Sequence, residues 1–339
     1  MKNCFRGLLL FNRIPTRCMS TNLISVGKVD PIKVGQKYAP GQLFIHKEFG
    51  YRGAILAPWS AHLYDRNLNL KSKTEKDDST KDKSDDSTIP GGENISAHEK
   101  TSSDESSRLT FTDETYYQTL IHEQDASRIT SQMHPNIVTY LGRGPGPDLY
   151  VLPAHDYVHH DEILPYTPSD NEAFQHQHFL EFFEHDPEKV PPWAVTTKLH
   201  HWLSANRWTE MRDVQQETTE DVRITVIPFY LGERLNEKNH QTYWWRYIIR
   251  MKNLNPEKVQ LRKRHWKIMN ISGHTDLVSG RGVVGEEPIL STYQYSSYIT
   301  LPVPGGHMWG TFTMQRKDGS FFEVRVPAFT LERRNDLER

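Results

Sequence analysis

Three glycines at a fixed spacing are the first candidate for chemistry. Gly280, Gly282 and Gly285 match the pattern G-x-G-x-x-G, whose backbone amides hold the pyrophosphate of a dinucleotide when a helix follows. Two valines lie inside the pattern and Pro288 follows it, and β-branched residues and proline start a helix poorly. The spacing therefore predicts a glycine-rich bend that leads into a strand, with dinucleotide binding and a backbone anion nest as alternatives.

Histidine is the second candidate, because its ring nitrogens bind zinc. The histidines cluster at His155, His159 and His160, at His176, His178 and His185, and at His200 and His201. A zinc site needs three or four converging ligands with their supporting contacts, and no H-E-x-x-H or similar spacing is present. We therefore predict no metal site, and expect these histidines at the surface or at helix ends.

A nucleophile with a neighbouring base is not visible in the sequence. Ser296 and Ser297 lie within a predicted strand and lack the strand-to-helix turn of a nucleophile elbow. Only two cysteines occur, Cys4 and Cys18, which excludes a structural disulfide, a cysteine zinc site and a thiol nucleophile from the rest of the chain. The sequence predicts a protein without catalytic residues and without a cofactor.

Trp244, Trp245 and Arg246 are candidates for partner binding. In a strand, one of the two tryptophans faces inward and the other outward. An outward tryptophan beside an arginine has the composition of an interface hot spot, while core or cross-strand packing is the alternative.

The densest basic stretch, Arg262–Lys267, adds Arg264 and Trp266 to the partner-binding candidates. Alternation along a strand splits these charges between two faces, whereas a nucleic-acid patch needs them on one side. The stretch therefore favours a solvated edge strand that is protected by charge.

These candidates must be positioned by a chain whose pattern is mainly β. Short apolar runs separated by glycine predict the strands of a first domain over residues 40–168. Inside it, residues 71–108 contain thirteen serines or threonines and seventeen charged residues among 38. So few apolar side chains cannot offset the entropy of ordering, and we predict a disordered insertion.

Two further segments follow the first domain. Residues 169–215 have helical spacing that prolines interrupt, which predicts a short helical bridge. Residues 216–335 return to strict alternation, and Asp318-Gly319 is typical of a hairpin turn. Six or more regularly spaced strands predict a β-sandwich.

The N-terminus has the pattern of a targeting segment. Lys2, Arg6, Arg13 and Arg17 lie on one side of a helix, and no acid precedes Asp30. This pattern predicts a mitochondrial presequence over residues 1–19, followed by a linker over 20–39; a basic tail is the alternative.

Net charge and hydropathy bound the function. The formal net charge is −2, which gives no support for strong DNA binding. No run of about 18 apolar residues occurs, so we expect no membrane span.

The spacing of the second β region resembles an ApaG domain. The matching elements are Gly280-Arg281-Gly282-Val283-Val284-Gly285 with Pro288, Tyr293-x-Tyr295-x-Ser297, Gly306-x-Met308-x-Gly310-x-Phe312 and Phe322-x-Val324-x-Val326-Pro327. Residues 41–66 and 109–165 resemble the YccV (HspQ-like) domain, with Phe49-Gly50-Tyr51-Arg52-Gly53 as an anchor. Together and in this order, they resemble the DNA polymerase delta-interacting protein two family.

This resemblance implies a small SH3-like barrel and a fibronectin-III-like β-sandwich. It also implies a mitochondrial matrix protein, with a nuclear pool in the family. The implied partners are the DNA polymerase delta small subunit, the sliding clamp, a primase-polymerase and the ClpX unfoldase. We therefore expect a non-enzymatic, monomeric adaptor, with weak DNA binding through the YccV-like domain as the alternative.

Overall fold

The computed structural model describes residues 26–68, 110–134, 138–141, 149–169, 174–236 and 238–335. The predicted presequence, both cysteines and the predicted insertion lie outside these residues. The described part is mainly β, as the sequence predicts. It comprises a first unit up to residue 169, a bridge over residues 174–212 and a second unit over residues 213–335.

The first unit is built on an antiparallel sheet. Its strands are β1 (Gly27–Val29), β2 (Leu43–His46), β3 (Arg52–Asp65), β4 (Thr112–Ile121), β5 (Val138–Leu141), β6 (Leu149–Leu152), β7 (His155–His159) and β8 (Ile163–Pro168), with α1 (Glu123–Ala126) and a 3-10 turn (His160–Glu162). The strand order β8-β2-β3-β4-β7 surrounds one apolar core that includes Phe44, Tyr51, Ile55 and Tyr117. Both faces of β3 and β4 are buried, because successive side chains point to opposite faces: Ile55 and Tyr117 enter this core, and Leu56 and Leu120 enter a second one.

The bridge contains two short helices and a small hairpin. The helices are α2 (Phe179–Phe182) and α3 (Thr197–Ala205), and a 3-10 turn (Arg207–Thr209) follows. Between the helices, β9 (Phe183–His185) pairs with β10 (Trp193–Val195), a hairpin that the helical spacing did not predict. The apolar side chains Phe179, Phe183, Trp193 and Leu199 pack on the first unit.

The second unit is a sandwich of two sheets. Its strands are β11 (Asp213–Thr219), β12 (Val222–Leu235), β13 (Gln241–Asn253), β14 (Val259–Asn270), β15 (Thr275–Arg281), β16 (Ile289–Leu290), β17 (Thr292–Leu301), β18 (Gly305–Gln315) and β19 (Phe321–Glu332). One sheet has the order β11-β12-β13-β17 and the other β15-β14-β18-β19. Apolar side chains from alternate positions of both sheets fill the core between them.

The two units share one continuous sheet. β11 runs parallel to the distal half of β3, with Val214 opposite Leu63 and Gln215 opposite Tyr64. The first sheet of the sandwich thereby extends the sheet of the first unit. Backbone pairing fixes the orientation of the units, so that the bridge is not the sole connection between them.

Candidate functional site

Strand β15 forms an open edge of the second unit. Among the described residues it pairs only with β14. Leu277 and Val278 on this strand are 71% and 42% exposed. An unpaired strand edge offers amide and carbonyl groups to another chain, and apolar side chains beside it add contact area.

The phase of the β14–β15 ladder determines which backbone groups are free. At one end the Asn270 amide donates to the His274 carbonyl (3.0 Å), and at the other the Gly282 amide donates to the Arg262 carbonyl (2.9 Å). Antiparallel pairs alternate between hydrogen-bonded and non-hydrogen-bonded positions. The odd-numbered residues of β15, including Ser279, therefore direct their amides and carbonyls to the open edge.

Other edges of the sandwich are partly covered. On β17, the Gln294 amide donates to the Gln132 carbonyl (2.9 Å) and the His134 amide to the Gln294 carbonyl (3.3 Å). On β19, the Arg325 amide donates to the hydroxyl of Thr219 (3.4 Å). Among the described residues, β15 thus combines outward-facing backbone groups at Leu277 and Ser279 with exposed apolar side chains.

The predicted glycine-rich bend follows β15, and a strand rather than a helix comes next. Gly282 and Gly285 have φ values of +55° and +85°, which glycine adopts readily. The amides of Gly282 and Val283 donate to the carbonyls of Arg262 and Glu286, each at 2.9 Å. The bend is confirmed. The alternative, a backbone anion nest, is not supported at Gly282 and Val283, because one amide donates to β14 and the other donates within the loop.

Arg264 holds this loop against β14. Its Nη1 donates to the carbonyls of Arg281 (2.8 Å) and Gly282 (2.7 Å). Gly280, the first glycine of the pattern, allows the Arg264 guanidinium to lie close to the backbone, because a Cβ at this position would be 3.1 Å from it. Arg264 therefore stabilises the loop.

Trp266 is buried in the sandwich core. Its prediction as a partner-binding residue is therefore wrong. The predicted edge strand Arg262–Lys267 is also wrong. β14 pairs with β18 on one side and with β15 and β16 on the other.

The structure separates the two tryptophans of β13. Trp245 is buried in the sandwich core, and its Nε1 donates to the Glu332 carbonyl (3.1 Å). Trp244 lies on the opposite face, half-buried, and stacks on the exposed Tyr298 with ring centroids 5.6 Å apart. The prediction of one inward and one outward tryptophan is confirmed. Trp245 is buried, so its prediction as a partner-binding residue is wrong. Trp244 remains a candidate for partner binding.

Arg246 is buried rather than exposed to a partner. Its exposed fraction is 0%, because Tyr157 of the first unit and Trp208 of the bridge cover this face of β13. The guanidinium lies 4.0 Å from the ring centroid of Phe229 and 5.8 Å from those of Tyr157 and Trp208. None of its nitrogens makes a hydrogen bond within the described part of the chain, and burial lowers its pKa. Arg246 therefore lies on the same face as Trp244, but it is buried, and its prediction as a partner-binding residue is wrong.

A buried polar network connects the two units. Arg250 donates through Nε to Gln294 Oε1 (2.7 Å) and through Nη1 to the carboxylate of Glu162. Asp156 accepts from the hydroxyl of Tyr51 (2.6 Å) and from the side-chain amide of Gln294 (2.7 Å). These contacts join strands of both units, so the network is structural.

The charge states of this network follow from burial and from pairing. Burial alone would raise the pKa of Glu162, but the positive charge of Arg250 outweighs burial and lowers it to about 2. Burial lowers the pKa of His46 to about 3, although Glu162 nearby raises it. His46 is therefore neutral at pH 7, and its 3.6 Å contact with Glu162 is not an ion pair.

The predicted histidine clusters mostly make separate contacts, although the ring centroids of His176 and His178 lie 5.8 Å apart. His155 lies 3.0 Å from the side-chain amide of Gln118, and His160 lies 2.8 Å from the hydroxyl of Tyr117. Within the described ranges, no three histidine, cysteine or acidic side chains form a group suited to a metal ion. In the same ranges, no helix has the length and apolar character needed to cross a membrane.

Comparison with known proteins identifies the family. The family model of the ApaG domain matches residues 233–316. Over 320 residues, the chain is 43% identical to Polymerase delta-interacting protein 2 of Mus musculus, which covers 93% of this chain and 81% of the relative. The Homo sapiens protein of the same name gives the same values. The chain belongs to the polymerase delta-interacting protein 2 family.

Bacterial proteins match the second unit of this polymerase delta-interacting protein 2 family member. Protein ApaG of Paramagnetospirillum magneticum is 40% identical over 126 residues, which cover 36% of this chain and 96% of the relative. A crystal structure of a Bordetella pertussis protein named ApaA is 31% identical, with a TM-score of 0.32, and covers 35% of this chain and 98% of its own. The region matched by the ApaG family model contains all of β15 and the glycine bend.

Sequence reasoning missed β15, the strand that forms the open edge. The strand has only seven residues. The glycine pattern at its end predicts a bend, which hides the strand that precedes it. A usable signal was present in Ser272-Gly273, a turn dipeptide between β14 and β15. Gly273 has a φ of +84°, as a hairpin turn of this kind requires.

Proposed function

We propose that this chain is a non-enzymatic adaptor of the mitochondrial matrix that binds an extended segment of a partner protein along β15. The open, apolar edge of β15 carries the proposal. A partner strand would pair with the free groups of Leu277 and Ser279, and its side chains would contact Leu277 and Val278. The basic, acid-free N-terminus supports the location.

The partner class follows from the family. The related mouse and human proteins are named for interaction with polymerase delta, and we extend that interaction, through the small subunit, to this chain. The sliding clamp, a primase-polymerase and the ClpX unfoldase are further candidates that the sequence resemblance supplies. The shared sheet and the Arg250 network make the two units a rigid platform for such a partner.

Two substitutions at Ser279 test the edge. Ser279→Pro removes an amide that faces outward and leaves the ladder to β14 intact. Ser279→Val is the matched control, because both variants lose the hydroxyl contact with His265 (2.9 Å) while only proline loses the amide. We expect Ser279→Pro to weaken binding of purified polymerase delta to the immobilised full chain about tenfold or more. Ser279→Val should bind like the unchanged chain.

Circular dichroism and thermal unfolding establish that both Ser279 variants fold. Equal binding by folded Ser279→Pro and by the unchanged chain would reject strand addition at β15. Absence of binding in all three proteins would reject polymerase delta as the partner. The same assay with purified ClpX tests the matrix partner.

The location has its own test. A fluorescent fusion of the full chain should accumulate in mitochondria, and a fusion that begins at residue 20 should not. Mitochondrial accumulation of both fusions would contradict a presequence over residues 1–19.

A further inference from the structure

Three basic side chains project from the outer face of β14. Lys263, His265 and Lys267 are all exposed, while Leu261 and Trp266 point into the core. Edge strands often carry lysine as protection against pairing, but β14 is an internal strand of its sheet. Edge protection therefore does not explain these three side chains.

Neighbouring strands add apolar surface to the same face. Leu277 of β15 and Trp309 of β18 lie on either side of Lys267 in register. Trp309 is half-buried, and within the described residues it makes no contact with another aromatic ring. Proteins that bind single-stranded nucleic acid combine an aromatic side chain, on which a base stacks, with basic side chains that contact the phosphates. Trp309 beside the lysines of β14 provides both.

The lysines on this face are not neutralised. Arg281 on the same face pairs with Glu287 at 2.6 Å, but Lys263 and Lys267 contact no carboxylate among the described residues. The acid nearest in register, Glu323, lies on β19, so that β18 separates it from Lys263, and it accepts a hydrogen bond from the hydroxyl of Thr313 on β18 (2.6 Å). The face therefore keeps two free positive charges in a chain whose net charge is −2.

We propose that this face, formed by Lys263, His265, Lys267 and Trp309, binds single-stranded nucleic acid. At about 3.3 Å per residue along a strand, the two lysines are about 13 Å apart, so they contact different phosphates while Trp309 stacks on a base. Charge complementarity selects a polyanion, and the ring selects a nucleobase over an acidic peptide. The site lies on the sandwich, whereas the family resemblance offered DNA binding by the first unit as an alternative.

The probe is a fluorescein-labelled oligothymidylate of 20 nucleotides. The full chain is titrated into it, and binding is measured by fluorescence anisotropy between 50 and 300 mM KCl. This range includes the salt concentration at which the Debye length is about 10 Å. Each phosphate contact contributes about 0.7 to the slope of log affinity against log salt. The double variant Lys263→Gln/Lys267→Gln should lower that slope by about 1.4 and weaken binding at low salt about tenfold or more. The control Lys198→Gln/Lys317→Gln removes the same charge from exposed sites elsewhere and should leave both values unchanged.

Trp309→Leu separates stacking from charge. It should weaken binding about tenfold with an unchanged salt slope, and thermal unfolding checks that the variant folds. Binding that falls equally in the two lysine double variants, or no binding at 50 mM KCl, would overturn the proposal. Competition by polyglutamate as strong as by unlabelled oligothymidylate, with no effect of Trp309→Leu, would assign the face to acidic polypeptides instead.

Discussion

Arg250 of the second unit donates to the carboxylate of Glu162 in the first unit, and both side chains are mostly buried. Removing one partner of such a pair leaves the other charge without compensation in a poorly solvated site. We predict that Arg250→Met lowers the free energy of unfolding by about 3–5 kcal/mol, measured by urea denaturation at pH 7.5.

A matched control for Arg250→Met is the same substitution at Arg316, whose guanidinium pairs with Glu220 at 2.9 Å on the surface. Exposed pairs contribute about 0–1 kcal/mol, so Arg316→Met should change stability by less than about 1 kcal/mol. Similar losses in both variants would show that the Arg250 network does not hold the units together.

Arg246 is the contrasting case, four residues earlier on the same strand. Its buried guanidinium has ring contacts but no hydrogen bond within the described part of the chain. Replacing a buried ion pair by apolar side chains of similar volume is often neutral or stabilising, by about 1–4 kcal/mol, and Arg246 has no ion pair among the described residues to lose. We predict that Arg246→Met raises the free energy of unfolding by about 1 kcal/mol or more. A loss of stability would mean that the contact with Phe229 outweighs the desolvation of the charge.

The contrast between these arginines marks what the sequence could predict. Alternation in β13 correctly assigns Trp245 to one face and Trp244 with Arg246 to the other, because side-chain direction has a period of two. It cannot say that the outer face of an antiparallel sheet is covered by another unit. The parallel pairing of β11 with β3 joins residues about 150 positions apart, and no local pattern encodes such a contact.

The same limit applies to the candidate site. The bend at Gly282 follows from glycine and valine chemistry within a few residues, so the sequence predicts it. The internal position of β14 depends on which strands flank it, and the charged stretch Arg262–Lys267 alone favoured an edge. The open edge at β15 is a property of the assembled sheet, so composition could not reveal it.

Buried His46 should make the fold sensitive to mild acid. Burial keeps its pKa at about 3 in the folded chain, against 6.5 for a free histidine. Below pH 6.5 the unfolded chain therefore takes up a proton that the folded chain does not. The stabilising effect of neutral His46 is complete above pH 6.5 and is lost as pH falls toward 3, by about 1.4 kcal/mol per pH unit.

The variant His46→Asn tests this sensitivity, because asparagine can still accept from the Glu48 amide that donates to the ring Nδ1 (3.1 Å). Between pH 7.5 and 5.5, we predict that it loses about 1.4 kcal/mol less stability than the unchanged chain, measured by urea denaturation at both pH values. The exposed His307, changed to asparagine, is the control for the substitution itself. An equal pH dependence for His46→Asn would contradict a neutral, buried His46.

Gly282 and Gly285 give two versions of one backbone test. Both have positive φ, but a Cβ on Gly282 would lie 2.0 Å from the Glu286 carbonyl oxygen, whereas nothing lies within 4 Å of one on Gly285. Gly285→Ala should therefore show only the conformational strain, about 1 kcal/mol, and Gly282→Ala should lose about 2 kcal/mol or more because the loop must also move. Thermal unfolding compares the two variants.

Arg264 donates to the Gly282 carbonyl, so movement of the loop should also loosen the end of β15. Amide hydrogen exchange should detect this loosening in Gly282→Ala and not in Gly285→Ala. Equal losses of stability in the two variants would contradict the close approach of Gly282 to Glu286.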